Sequence, residues 1–340
     1  MYAKNQNQPQ IAGNMRWQHR SAIAAPTAAA APTAVPNQLL KNHIFSLHYT
    51  EPAEKTMAVI LVYYNVQSSL RLIQNILYVK HLFDLAHIPY FIGELSIQGS
   101  PFIFTENAAN VFHFSTDDIM FYKENIINLV EPRLPATYTK LCVMDADILF
   151  ENPDWYTLMS AQLNNVQICQ PFSEAHWLNL SYNEIIRYKA SFLKNRIDGH
   201  EGFVWGFQRD WFHANKLPES GFIGGGDTMF VKAVFNKTIL AAHQYVHRIL
   251  TAYIARVPSD ISAAYLDLKI YHLYHGTIAN RKYSSRHVKI GEVLDRLHVA
   301  EIDECIDFQP DGIMKWKAPV RETLNAFMKE YLCQRDDDGA

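Results

Sequence analysis

The sequence has no run of apolar residues approaching the roughly 20 that a helix needs to cross a bilayer. Pro26, Pro32 and Pro36 interrupt the alanine-rich stretch that comes nearest. The sequence therefore predicts a soluble chain without a transmembrane anchor, in a cytoplasm-like compartment. A basic run is also missing: 31 Lys and Arg stand against 34 Asp and Glu, for a formal charge of -3. Clustered Lys and Arg supply most of a protein's affinity for nucleic-acid phosphates, so nucleic acid is not an expected partner. Cysteine is scarce. Cys142, Cys169, Cys305 and Cys333 show neither CxxC nor zinc-ligand spacing and read as buried or incidental thiols. No acid precedes Glu51, and the first forty residues are rich in Ala, Pro, Gln and Asn. Such composition cannot build a core, so 1–40 reads as a disordered leader, and its prolines argue against the helix that a transit peptide needs. Two glycosylation sequons, at Asn179 and Asn236, are too short a pattern to carry weight.

The remainder has the material for a large core, with 49% of the 340 residues hydrophobic and 13% aromatic. Residues 57–63 form a continuous apolar run typical of a strand buried on both faces. Leu70, Ile73, Ile76, Leu77, Leu82 and Phe83 follow helical spacing, and 89–95 reads as a second strand. The alternation continues with a strand at 111–114, a helix at 121–129 and a strand at 141–144. Strand, helix, strand units of this kind predict an α/β fold with a Rossmann-like, mainly parallel sheet flanked by helices. In such sheets ligands collect beyond the carboxyl ends of the strands, where Asn65, Glu94 and Asp145 fall.

After Trp155 the pattern changes. It predicts a strand at 166–169, a helix near 183–193, extended chain at 202–207, a loop at 221–226, a helix at 227–235 and a strand at 269–274. An amphipathic helix at 321–332 precedes an acidic tail, 333–340, that holds Asp336 to Asp338. No internal repeat is visible. The reading is one domain, 41–332, with one half at 57–155 and a second at 156–332.

The strongest local signal is Val143-Met144-Asp145-Ala146-Asp147-Ile148-Leu149-Phe150, two carboxylates one residue apart just after a buried strand. Placing like charges so close is costly unless a cation lies between them. A divalent ion such as Mn²⁺ or Mg²⁺ takes oxygen ligands and leaves positions for substrate phosphates. A second signal is the glycine-rich Gly221-Phe222-Ile223-Gly224-Gly225-Gly226-Asp227, whose acid opens a helix. No GKS or GKT follows, so bare backbone for a close-lying substrate is a better reading than a phosphate loop. The third is 271–287, with His272, His275, Arg281, Lys282, Arg286 and His287. On an extended strand residues three apart face opposite ways, so His272 and His275 cannot both ligate unless the chain bends. Arg281, Lys282 and Arg286 could close over a diphosphate. His243 and His247, one helical turn apart, read as a surface face. Trp177, Trp205, Trp211 and Phe222 could stack on sugar rings, although large aromatics usually fill core.

The stretch from Tyr138 to Trp155, with its buried strand, its D-x-D and the following Asn152-Pro153 and Trp155, resembles the D-x-D region of GT-A glycosyltransferases. Residues 202–230 are similar to the segment of inverting GT-A enzymes, among them the β-1,4-galactosyltransferase group, in which a glycine-rich loop leads to an acid at a helix start. The chain departs from that pattern in carrying Gly226-Asp227 where the family has an acidic pair. The resemblance runs from about Met57 to His287. It implies a metal-dependent transfer of sugar from a nucleotide diphosphate sugar, UDP by default, to an acceptor hydroxyl on a glycan, protein or small molecule. It further implies that Asp145, Asp147 and His275 hold Mn²⁺ or Mg²⁺. Asn65, Arg71, Glu94, Asn128, Asp145, Arg281 and Arg286 would then contact the donor, and Asp227 would act as base in an inverting transfer. Rival readings are a non-catalytic sugar-binding protein of the same fold and a D-x-D phosphatase. The phosphatase motif wants Thr or Val where this chain has Leu149, and a second acid where it has Val231.

Overall fold

The computed structural model describes residues 37–104, 109–277, 279–281 and 285–339. The expected leader therefore lies almost wholly outside the described residues, as does Lys282. Eleven strands build the architecture around the site: β1 (Met57–Tyr63), β2 (Tyr90–Ile97), β3 (Val111–Thr116), β4 (Lys140–Met144), β5 (Ile148–Phe150), β6 (Ile168–Gln170), β7 (Glu174–Leu178), β8 (Ile185–Ala190), β9 (Val204–Gln208), β10 (Ala263–Tyr265) and β11 (Lys269–His272). The helices are α1 (Asn37–Phe45), α2 (Leu70–Leu85), α3 (Lys123–Val130), α4 (Trp155–Gln162), α5 (Arg209–Asn215), α6 (Gly226–Val231), α7 (His247–Arg256), α8 (Arg286–Arg296) and α9 (Arg321–Cys333). None of the described helices is long and apolar enough to cross a membrane.

The central sheet has the order β10-β6-β9-β4-β1-β2-β3. β4, β1, β2 and β3 run parallel, and β9 is antiparallel to both of its neighbours. This is the mixed, mainly parallel α/β sheet that the sequence predicts, and the reason is visible in β1. Its alternate residues feed two different cores: Ala58 and Ile60 on one face, Met57, Val59, Leu61 and Tyr63 on the other. A strand covered on both faces needs apolar side chains at every position, and each such chain fully buried contributes about 1.5–3 kcal/mol. On the Ala58 face α3 comes so near β2 that a Cβ at Gly93 would collide with Ile126 Cγ2.

A second sheet, β5-β11-β7-β8, stands beside the first. The chain passes from one to the other through three residues: β4 ends at Met144, and β5 begins at Ile148 after Asp145, Ala146 and Asp147. β5 pairs antiparallel with β11, setting His272 opposite Ile148 and drawing the Leu273 amide to the Asp147 carbonyl at 2.8 Å. The D-x-D thus sits at the carboxyl end of a central strand and against a histidine more than a hundred residues away.

One element differs in kind from the sequence reading. The stretch predicted helical near 183–193 is mostly β8, paired antiparallel with β7. Asn179 Oδ1 accepts from the Asn183 amide at 3.0 Å, closing a hairpin turn before Ile185, Ile186 and Tyr188, whose branched and aromatic side chains suit a strand. The predicted helix at 227–235 is α6 followed by a wider π-helical turn at Lys232–Asn236.

Candidate active site

A cleft of about 580 Å³ opens at the carboxyl ends of β1 and β4. Asn65, Asp145, Asp147, Asp227, His275, Arg281 and Arg286 all line it, as do His272, Lys123 and Glu124.

Three donor atoms converge on one side. Asp147 Oδ2 lies 2.8 Å from His275 Nε2 and 3.6 Å from His272 Nε2, and the two ring nitrogens are 3.2 Å apart. All three lie within 4.8 Å of one another, a grouping able to hold a metal ion. Asp147 Oδ1 is buried with no hydrogen-bond partner, leaving one more acceptor turned inward. Burial raises the Asp147 carboxyl, while the Arg281 guanidinium, and either histidine ring if it carried a second proton, pull it down. Burial drives the His272 imidazole well below its ordinary value despite Asp147, so the ring is neutral and keeps a lone pair to offer. The two histidines meet because β11 stops at His272, and beyond it the chain is free of the alternation of a strand. The bend that the sequence left conditional is therefore made, and His272 joins the expected Asp147 and His275.

Asp145 takes a different partner. Lys123 Nζ, from the first residue of α3, lies 2.6 Å from Asp145 Oδ1 and 3.1 Å from Asp227 Oδ1, so one ammonium links the two acids. Burial, reinforced by Asp227 and Asp147 and opposed by Lys123, pushes the Asp145 carboxyl up to about 6. Asp227 stands in the first turn of α6, whose start is shaped by Gly224 and Gly225 at φ 82° and 88°. These glycines also make room for Arg286: a Cβ on either would lie 2.7 or 2.8 Å from a guanidinium nitrogen. Next to Lys123, the Glu124 carboxyl packs where a side chain on Gly226 would otherwise stand, since a Cβ there would collide with Oε1. Burial pushes that carboxyl up to about 7, with Lys123 acting against the rise and Asp227 with it.

The other expected donor-side residues are placed as follows. Asn65 lines the cleft and ties the loop before α2, accepting from the Ser69 amide at 2.9 Å and donating to the Ser69 carbonyl at 2.8 Å. Arg281 donates to the His275 carbonyl at 3.1 Å, and Arg286 Nε donates to His287 Nε2 at 3.2 Å. Arg71, Glu94 and Asn128 do not line the cleft. Arg71 donates to the Tyr182 hydroxyl at 3.1 Å. Glu94 is buried, accepting from the Ile103 and Phe104 amides at 2.6 and 3.3 Å. Asn128 holds the Leu217 amide and carbonyl, each at 3.0 Å. Each of the three is hydrogen-bonded elsewhere in the fold.

Several cleft residues were not singled out from sequence. Lys123 and Glu124 leave one trace, two adjacent charges opening a helix whose next residues are mostly apolar. His243, expected at the surface, is buried with its ring 4.6 Å from that of His287. Trp177 lines the cleft, whereas Trp205, Trp211 and Phe222 belong to the core. The segment expected as an acidic tail packs back on the domain, with Asp337 buried at the cleft.

No family model matches the chain, and no curated protein matches it. Solved structures similar to it include a mutant of Drosophila β1,4-galactosyltransferase 7 with manganese, UDP-Gal and xylobiose, at 14% identity and TM-score 0.32, covering 51% of this chain and 58% of that one. Another is the catalytic domain of the same enzyme with xylobiose, at 11% identity and TM-score 0.36, covering 80% and 98%. A third is glucosyl-3-phosphoglycerate synthase from Mycobacterium tuberculosis with Mn²⁺, UDP and phosphoglyceric acid, at 11% identity and TM-score 0.39, covering 84% and 92%. These are likenesses at TM-scores below 0.5, and the functional reading rests on the residues of the cleft.

Proposed function

We propose that the chain is a metal-dependent glycosyltransferase, moving a sugar from a nucleotide diphosphate, UDP by default, to an acceptor hydroxyl with inversion. The observation that carries this reading is the convergence of Asp147, His272 and His275 beside Asp145, with Lys123, Arg281 and Arg286 around the same cleft. The donor set fits a divalent ion: a carboxylate with a second, unpartnered oxygen and a neutral imidazole are ligands such an ion takes. Two imidazoles with a carboxylate suit Mn²⁺ better than Mg²⁺, which prefers oxygen alone. When bound, the ion supplies charge to neutralise a diphosphate leaving group.

The chain's own residues account for the rest. Arg281 and Arg286 reach the cleft from one segment and present guanidinium groups suited to phosphate oxygens. Lys123 links Asp145 and Asp227 and shares its charge between them. Asp227, at the start of α6 and open to the cleft, takes the acceptor proton as its oxygen attacks the anomeric carbon. In this reading 57–155, the expected donor half, supplies Asn65, Asp145 and Asp147, while the expected acceptor half, 156–332, supplies Asp227 and also adds His272, His275, Arg281 and Arg286 to the donor side.

Screening nucleotide sugars, each with a panel of simple acceptors, for Mn²⁺-dependent release of nucleotide diphosphate tests the proposal. Release with one donor, lost on chelation, is the expected result. Donor binding without release under any acceptor would leave a non-catalytic sugar-nucleotide binder.

A further inference from the structure

The segment after α9 folds across the cleft and is held at both sides. Tyr274 Oη donates to the Gly339 carbonyl at 2.7 Å. Gly276, at φ 89°, brings its backbone so near that a Cβ there would lie 2.6 Å from the Asp336 carbonyl. Asp338 accepts from Ser69 Oγ at 2.6 Å and from the Leu70 and Arg71 amides at 2.9 and 2.8 Å, satisfying free donors at the start of α2. Between these anchors Asp337 is buried. Its Oδ1 lies 3.6 Å from His275 Nδ1 and 3.6 Å from Arg335 Nη2. Both Asp337 Oδ1 and His275 Nδ1 are buried without a hydrogen-bond partner, although they face each other.

The other nitrogen of the same ring identifies which atom carries the proton. Arg281 Nη2 stands 2.6 Å from His275 Nε2, and a guanidinium N–H can only donate, so Nε2 presents a lone pair and the ring proton belongs on Nδ1. The 2.8 Å approach of Nε2 to Asp147 Oδ2 is then lone pair against carboxylate, a contact that a shared cation relieves. We infer that Asp337 is a positioning residue for metal binding: its carboxylate accepts the Nδ1 proton of His275 and so keeps Nε2 turned, as a ligand, toward Asp147 and His272. This inference rests on the reading of Asp147, His272 and His275 as the metal cluster. Metal-bound histidines commonly pass their second ring N–H to such a carboxylate, and losing it costs about 10–100-fold in metal affinity.

The test is calorimetric titration of Mn²⁺ into the full chain, native and as Asp337→Asn, Asp337→Glu and Asp336→Asn, with ¹⁵N NMR of the histidine rings in the metal-free proteins. Native protein and Asp336→Asn are expected to bind alike, since Asp336 is exposed on the same segment. Asp337→Asn is expected to bind about 10–100-fold more weakly and to lose the single Nδ1–H tautomer of His275, with Asp337→Glu recovering part of both. Equal affinity in native protein and Asp337→Asn, with the tautomer unchanged, overturns the inference and leaves the metal cluster standing. Equal loss in Asp336→Asn and Asp337→Asn with the tautomer unchanged also overturns it, assigning the segment a role in folding alone. Absence of Mn²⁺ binding by the native chain removes cluster and inference together.

Discussion

Lys123 Nζ lies 2.6 Å from Asp145 Oδ1, closer than to either oxygen of Asp227, at 3.1 and 3.3 Å. The first carboxylate of the D-x-D is therefore engaged by a protein cation, while the second faces two histidines. Removing that ammonium leaves two half-buried acids facing each other. Lys123→Met keeps most of the stem and is expected to destabilise the metal-free protein by about 1–3 kcal/mol, below the cost for a fully buried pair because all three groups keep some solvent contact. Urea unfolding measures this, and a change within error of zero would show that the pair is idle.

The metal cluster makes a prediction independent of turnover. At about 100 times its Kd, Mn²⁺ should stabilise the native chain by about 2.7 kcal/mol, through binding to the folded state alone. Asp147→Asn, His272→Gln and His275→Gln should each lose most of that gain while the metal-free proteins stay folded. Thermal unfolding with and without Mn²⁺ reads the effect. A full Mn²⁺ response in His272→Gln would exclude that ring from the cluster.

Asp227→Asn should lower kcat by about 10²–10⁴, the usual weight of a general base, with the KM for the donor little changed. Undiminished kcat would move the base to another group, of which Glu124 is the near candidate.

Glu124 makes a prediction in pH. Its carboxyl is raised from an ordinary 4.5 to about 7 in the fold. Between those values the folded chain holds a proton that the unfolded chain has released, so ionising the group costs stability. The protein is stabilised by this group below pH 4.5 and loses that contribution as pH rises through 7. Glu124→Gln cannot ionise, so its stability relative to native should improve by up to about 3 kcal/mol between pH 4.5 and 8. A native-minus-variant difference that stays flat across this range would show that the carboxyl titrates normally.

The elements were legible where burial dictates residue type one position at a time. β1 had to be apolar at every step because both faces are covered, and the 57–63 run shows it. The D-x-D was visible because a pair of acids beside such a strand contradicts its surroundings. β8 was misread because its branched, aromatic and basic side chains are mostly exposed or half-buried and show no clear period, and the hairpin signal of the Asn179 turn that pairs it with β7 went unread. Arg71, Glu94 and Asn128 lie outside the cleft and are hydrogen-bonded to other parts of the fold. A single sequence gives a polar residue that ties distant segments together and a ligand-binding group the same letters.

What the sequence determined by itself is therefore the α/β alternation, the place of Asp145 and Asp147 at a strand end, and the helix start that carries Asp227. These follow from hydrophobic period and from charge set against burial, both local quantities. Only the tertiary structure decided that His272 and His275 meet Asp147, that Lys123 bridges Asp145 and Asp227, and that Asp337 returns to back His275. Each of those relationships depends on register between distant segments, fixed by the packing of two sheets and one returning strap, and no spacing along the chain encodes it.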